Sequence, residues 1–190
     1  MESIETILKK TGAIKEGHFL LTSGLHSGVY FEKFRLLQHP EYTEKLCEPI
    51  ANFYKNEDID LVVGPTLGGV IIAYEVARLL GKPCAFAEKT QNGRNFLRDF
   101  DLPKSGNVLV VDDVLTTGGS IKEVLELVKK CGLTPIGIGV LIERSEKTPD
   151  FGNIPLFSVY RVEVKNYTKE ECPLCKKGIP LVKPGGKSYV

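Results

Sequence analysis

The sequence lacks an excess of either charge: 25 basic residues stand against 24 acidic ones, leaving a formal charge of +1. A nucleic-acid partner is not expected, because such partners call for a broad basic field. It also lacks an apolar run of bilayer length, so no membrane association is expected. The opening stretch, MESIETILKKTG, mixes charged and apolar residues at helical spacing where a secretory signal would have a continuous apolar core. An even set of cysteines is missing too. Five, scattered and without a secretion signal, argue against a disulfide framework and for the reducing cytoplasm. Repeats and low-complexity segments are absent. What remains is ordinary: 42% hydrophobic and 26% charged residues over a length of 190, enough for one domain with a full core.

The pattern along the chain alternates between strand and helix. LVVG (61–64) reads as a buried strand, PTLGG as a turn, and VIIAYEVARLLG as a helix stopped by Gly81. CAFA (84–87) reads as a second strand. EKTQNGRNFLRDF (88–100) reads as a hairpin turning at Asn92-Gly93. NVLVVDD (107–113) is a third strand, followed by a helix over 120–132. PIGIGVLIE (135–143) and LFSVY (156–160) are two more strands. Residues 1–60 contribute a helix, the segment GHFLLTSGLHSGVYFEKFRLL and a second helix over about 41–56. Apolar strands joined through helices predict an α/β fold with a mostly parallel central sheet flanked by helices. Such sheets bind ligands beyond the carboxyl ends of their strands.

One arrangement occurs twice. LVVG leads into PTLGG and VLVVDD leads into VLTTGGS, each a strand, a small-residue loop and a helix. Glycines allow backbone N–H groups to turn toward an anion, and the helix that follows adds its positive end. Thr116, Thr117 and Ser120 add hydroxyl donors. Either loop alone also suits an ordinary strand–helix turn, and neither matches the G-x-x-x-x-G-K-[ST] phosphate loop. Asp112 and Asp113 sharpen the reading. Two adjacent carboxylates repel, so they suit either a divalent metal or the hydroxyls of a sugar. Two anion cradles beside an acidic pair point to a phosphorylated sugar with two separated phosphate groups.

VLVVDDVLTTGGS resembles the motif by which type I phosphoribosyltransferases bind phosphoribosyl pyrophosphate (PRPP). The resemblance implies that Asp112 and Asp113 hold the ribose hydroxyls and that Thr116, Thr117, Gly118, Gly119 and Ser120 hold the 5-phosphate. GPTLGG is similar to the superfamily's pyrophosphate loop, which implies that role for Thr66, Leu67, Gly68 and Gly69. Upstream, GHFLLTSGLHSGVYFEK (17–33) resembles the amino-terminal segment of the orotate-using family, and LIERSE (141–146) resembles its strand ending in acid–Arg. These imply that Tyr30, Phe31, Lys33, Thr116 and Arg144 contact orotate, Arg144 through its forked guanidinium. They also imply catalytic roles for Asp112, Asp113 and Lys89, and contacts to PRPP from Lys89, Arg94 and Arg98. Further implications are Mg²⁺ carried mainly by PRPP, a mobile hairpin over 88–100, and a homodimer. The domain reading is a single unit over 1–190: a base-binding hood (1–40), a PRPP-binding core (60–145) and a tail (165–190).

The chain departs from the family's better-known members at three places. They carry a lysine where Thr22 stands, with Lys33 the nearby substitute, and a lysine where Gly68 stands. Their mobile loop holds several lysines and a histidine, whereas this one offers Lys89, Arg94 and Arg98. The tail CPLCKKGIP (172–180) contains one C-x-x-C. No Ser–His or Cys–His constellation is present, and His18 and His26 are close to no Cys or metal-like cluster; a structural zinc takes four ligands, and a second pair at suitable spacing is missing. No resident metal is therefore expected, and the tail reads as a turn or knuckle. Cys47, Cys84 and Cys131, in apolar contexts, are expected in the core. The rival readings are a purine or xanthine phosphoribosyltransferase, a PRPP-sensing regulator, and a phosphoacceptor domain, whose acids would stand earlier in the chain.

Overall fold

A computed structural model describes residues 2–21, 23–145 and 147–184. Thr22, the site of one family departure, and Glu146, the end of LIERSE, lie outside the described residues. In chain order the elements are α1 (Ile4–Lys10), β1 (Ile14–Leu20), β2 (His26–Phe31), α2 (Phe34–Leu37), α3 (Pro40–Tyr54), β3 (Leu61–Pro65), α4 (Gly68–Leu80) and β4 (Cys84–Thr90). They continue with β5 (Gly93–Asn95), β6 (Asn107–Leu115), α5 (Gly119–Lys130), β7 (Thr134–Glu143), β8 (Leu156–Arg161), β9 (Asn166–Tyr167) and α6 (Pro173–Lys176). Among the described residues no helix is long and apolar enough to cross a membrane. The chain divides into two compact units, one of Met1–Leu36 with Glu163–Val190, the other of Leu37–Val162. The hood and the tail, read as separate ends of one domain, thus fall together in one unit.

The larger unit is built on a six-stranded sheet ordered β5-β4-β3-β6-β7-β8. The pairs β3–β4, β3–β6, β6–β7 and β7–β8 are parallel, and only β5 runs antiparallel, against β4. From β3 the chain goes to β4 on one side, then returns to β6 on the other. The carboxyl ends of β3 and β6 therefore flank the point where the strand order reverses, the place where open α/β sheets bind ligands. Both glycine loops leave from there. A core of Leu61, Val63, Val108, Val110, Ile138 and Val140 with Ile121, Val124 and Val128 of α5 covers one face. On the other face α3 sits so close that a Cβ on Gly137 would fall 2.4 Å from Tyr54 Cε1, and one on Gly139 would fall 2.5 Å from Ile50 Cγ2. The glycines of PIGIGV thus make room for a helix. Tyr54 donates to the Ile138 carbonyl (2.9 Å). Burial, partly offset by that bond and reinforced by nearby Glu57, pushes its hydroxyl up to about 12.

Three details differ from the sequence reading. The strand carrying the acidic pair continues to Leu115, so Asp112 and Asp113 lie within β6 instead of ending it. The hairpin closes at Thr90↔Gly93 with Gln91 and Asn92 between, one residue earlier than the Asn-Gly pair suggested. Gly93, with φ +99, takes the positive-φ backbone beside the turn. Cys47 is fully buried as expected, but Cys84 is half-buried and Cys131 exposed. Cys131 follows the last turn of α5 as its C-cap.

The smaller unit holds the sheet β1-β2-β9. The β1–β2 hairpin is antiparallel, with a register shift between Glu16 and Phe19. Ile7, Leu8, Ala13, Phe19, Phe31 and Val164 are buried. Ser3 caps α1 by accepting from the Thr6 N–H, as short helices require.

Candidate active site

Asp112 and Asp113 are buried, 7% and 4% exposed, and do not face solvent as a strand end would. Asp112 Oδ1 accepts from the Asp113 N–H (2.8 Å), and Asp113 Oδ1 accepts from the Val114 N–H (2.6 Å). Each carboxylate is thereby turned by its own backbone, which offsets the cost of placing like charges side by side. The glycines of the first loop press against this pair. A Cβ on Gly68 would overlap Asp113 Oδ2, and one on Gly69 would fall 2.6 Å from Pro65 Cδ and 3.2 Å from Asp112 Oδ1. Gly68 stands where the family's better-known members carry lysine, and here no side chain fits without moving Asp113. The Thr66–Leu67 peptide is cis. Leu67 itself is exposed.

Beyond the acidic pair, Asp112 and residues 114–121 line an open hollow. Gly118, at φ +78, is the N-cap of α5, and no side chain caps that helix. No side chain caps α4 either. Two helix starts without a side-chain cap thus open at the switch point, both suited to anions. Gly118 has no space for a side chain: a Cβ would lie 2.9 Å from Phe151 Cζ. Thr116, Thr117, Gly119 and Ser120 are exposed and line the rim.

Arg94 of β5 links the two loops. Its side chain is 6% exposed. Nη1 donates to the Ala87 carbonyl (3.0 Å) and to Thr66 Oγ1 (3.4 Å), and Nη2 donates to Ser120 Oγ (3.3 Å). Nε stands 3.2 Å from Glu123 Oε2. The sequence offered no sign that Arg94 would be anchored while its neighbours are not. Arg98, in contrast, is exposed and holds Glu88 by two hydrogen bonds (2.7 and 3.0 Å). Lys89 is exposed.

Arg144 follows β7, and its N–H donates to the Leu115 carbonyl (2.9 Å), which fixes its backbone beside the second loop. Glu143, just before it, was quoted in LIERSE but given no role. It is 3% exposed. It accepts from Ser145 (2.9 Å), Thr148 (2.6 Å) and Ser158 (2.7 Å), with Arg161 at 3.8 Å. Burial pushes its carboxyl up, but the three hydroxyls and Arg161 together prevail and hold it below the usual carboxylate range. Of the residues expected to contact the base, Tyr30, Phe31 and Lys33 belong to the smaller unit. Phe31 is 7% exposed and serves as core. Tyr30 is partly exposed and packs on Phe19 (5.6 Å between ring centres). Lys33 reaches over the Phe34 ring.

An acidic pair and two uncapped helix starts meet at the switch point of a parallel sheet, the arrangement that the resemblance to phosphoribosyltransferases implies. Residues 35–162 match the phosphoribosyl transferase domain family. The chain is 47% identical to the orotate phosphoribosyltransferase of Caldanaerobacter subterraneus subsp. tengcongensis, over 98% of this chain and 97% of the relative. It is 45% identical to that of Thermotoga maritima, over 97% and 98%. The crystal structure of orotate phosphoribosyltransferase from Aeropyrum pernix superposes with a TM-score of 0.71 at 30% identity, covering 84% of this chain and 94% of that one. The chain belongs to the orotate phosphoribosyltransferase family.

Proposed function

We propose that this chain transfers phosphoribose from PRPP to orotate, giving orotidine 5-phosphate and pyrophosphate in pyrimidine synthesis. The observation that carries the mechanism is the convergence of Asp112, Asp113 and the two glycine loops at the β3/β6 switch point. The reaction breaks the anomeric C–O bond through an oxocarbenium-like state, so the protein must position both reactants and stabilise the departing charge. The second loop and the start of α5 hold the 5-phosphate, and the acidic pair accepts from the ribose hydroxyls. Residues 66–69 and the start of α4 receive the pyrophosphate. Arg94, bonded to both loops, sets their spacing and adds positive charge between them, while exposed Lys89 reaches the leaving group from the hairpin.

The donors at the site are all oxygens, which fits Mg²⁺, a hard ion that keeps several waters and is held mainly by substrate phosphates. Asp112 and Asp113 are the protein groups that would face it, and when bound it supplies charge neutralisation for pyrophosphate. Arg144 takes the carboxylate of orotate. Tyr30 and Lys33 keep the role the resemblance implies, and Phe31 is assigned to the core instead. Leu67, the N-cap of α4, and Ile71 and Tyr74 within it are exposed at spacings of four and three. That apolar stripe supports a homodimer. The odd number of scattered cysteines supports a reducing cytoplasm.

The direct test is the loss of orotate absorbance when PRPP is added, with and without Mg²⁺. Loss is expected only with Mg²⁺, and Asp113→Asn should abolish most of it. Consumption of adenine or xanthine, with orotate left untouched, would overturn the assignment.

A further inference from the structure

We propose that His18, His26, Cys172 and Cys175 form a structural zinc site that clips the carboxyl-terminal tail to the β1–β2 hairpin. The four ligand atoms lie within 4.8 Å of one another. His18 Nε2 is 2.9 Å from His26 Nδ1, 3.5 Å from Cys172 Sγ and 3.7 Å from Cys175 Sγ, and Cys175 Sγ is 3.3 Å from His26 Nδ1. A tetrahedron with zinc–nitrogen bonds near 2.0–2.1 Å and zinc–sulfur bonds near 2.3 Å has edges of roughly 3.3–3.8 Å. These four spacings lie within about half an ångström of such edges, and all six fall within 4.8 Å. The histidines, 154 and 149 residues before their cysteine partners, supply the second ligand pair that the sequence did not reveal. The expectation that they lie away from any cysteine is corrected.

The fold assembles the cluster for identifiable reasons. Leu20 pairs with His26 across the hairpin, and His18 stands two residues before Leu20, on the same face. Carried on unshifted from Glu16↔Val29, the register would pair His18 with Ser27 and turn it to the opposite face. The bulge between Glu16 and Phe19 inserts one residue on β1 and brings both rings together. From the tail, Phe19 bridges to Val182, the Leu20 N–H donates to the Val182 carbonyl (2.9 Å), and the Val182 N–H donates to that of His18 (2.8 Å). Leu174 of the C-x-x-C turn lies against Gly28 of β2, its Cδ1 3.8 Å from where a Cβ would stand. Pro173 opens that turn as the first residue of α6.

A second observation points to a metal independently. His18 Nδ1 is 2.7 Å from the Ile179 carbonyl. A carbonyl only accepts, so Nδ1 carries the proton and Nε2 offers its lone pair to the cluster. Histidine ligands are commonly oriented by such a bond. His18 and His26 are 2% and 3% exposed and Cys172 is fully buried. A closed Cys₂His₂ set of this kind suits a structural zinc in preference to Mg²⁺ or Ca²⁺, which prefer oxygen. The unit around it has need of one: it joins two distant ends of the chain, and β9 is two residues long. Units this small commonly rely on a disulfide or metal for stability. Binding replaces the two thiol protons with one Zn²⁺, and no electron is transferred.

The test is metal analysis of the full-length protein purified without added metal or chelator. About one zinc per chain is expected, lost in His18→Ala/His26→Ala and in Cys172→Ser/Cys175→Ser and retained in Cys131→Ser. Because the ligand variants are liable to misfold, wild-type protein is also stripped with a chelator and titrated with Co²⁺. Tetrahedral Co²⁺ bands with thiolate charge transfer, and a melting temperature lowered by the chelator and restored by Zn²⁺ but not Mg²⁺, are expected. A reduced wild-type chain that carries no metal and takes up neither ion would overturn the proposal, as would a Cys172–Cys175 disulfide in protein prepared anaerobically.

Discussion

Glu143 shows how one side chain can hold a loop in place. Its carboxylate accepts from three hydroxyls, two of them on the loop that carries Arg144. Charge is retained there despite burial because hydrogen bonding to the ionised form outweighs desolvation. A carboxyl held low in the folded state stabilises the protein above its unfolded pKa, about 4.3. That stabilisation is lost as pH falls through the lower folded value. Glu143→Gln replaces one acceptor oxygen with a donor facing a hydroxyl, so a loss of about 1–3 kcal/mol is expected near neutral pH. Urea midpoints measured from pH 7 downward should fall more steeply for the wild type than for the variant below about pH 4.3. Parallel curves would show that Glu143 carries no linked charge. Gly68 makes the complementary case, since it is the absence of a side chain that lets Asp113 approach the first loop.

The β4–β5 hairpin combines a fixed base with a free edge. Arg94 locks it to Thr66 and Ser120, whereas Lys89 and the turn at Gln91 and Asn92 project into solvent. Only the second part is suited to open and close over a ligand, because few contacts oppose its motion. Lys89→Ala should therefore lower kcat about 10-fold or more while leaving the melting temperature within about a degree, since exposed substitutions rarely change stability. Arg94→Ala should lower both, because it strands Glu123 and loosens two loops at once. Steady-state kinetics and thermal melts on the two variants decide the matter. Equal losses of stability would mean that the hairpin moves as one body or not at all.

At the scale of the whole molecule, the stripe of Leu67, Ile71 and Tyr74 is where a second copy is expected to dock. Tyr74 is 65% exposed and Leu67 71%, unusual for large apolar side chains grouped on one helix face. Light scattering coupled to gel filtration should give twice the chain mass of 21.0 kDa for the wild type. Tyr74→Arg should give the single mass, because a buried unpaired charge opposes association. A wild-type mass of one chain would remove this stripe from assembly.

The sequence by itself determined whatever depends on neighbours along the chain. The alternation of buried strand, glycine loop and helix follows from local periodicity, and the acidic pair with its Thr/Gly loop is contiguous, so the segment proposed to bind PRPP was legible in thirteen residues. Tertiary structure decided what depends on register and approach. Whether Phe31 or Tyr30 is core rests on which face of β2 is covered, a property of packing that two adjacent aromatics do not reveal. The burial of Asp112 and Asp113 comes from β6 running on to Leu115 and from α4 closing on them through Gly68. Arg94 differs from Arg98 only because β5 carries it against both loops. The union of His18 and His26 with Cys172 and Cys175 requires a one-residue bulge and a tail that returns to the first hairpin. Contacts across some 150 residues of chain leave no local signature, because the chain that separates them is free to close in many ways until the whole core selects one.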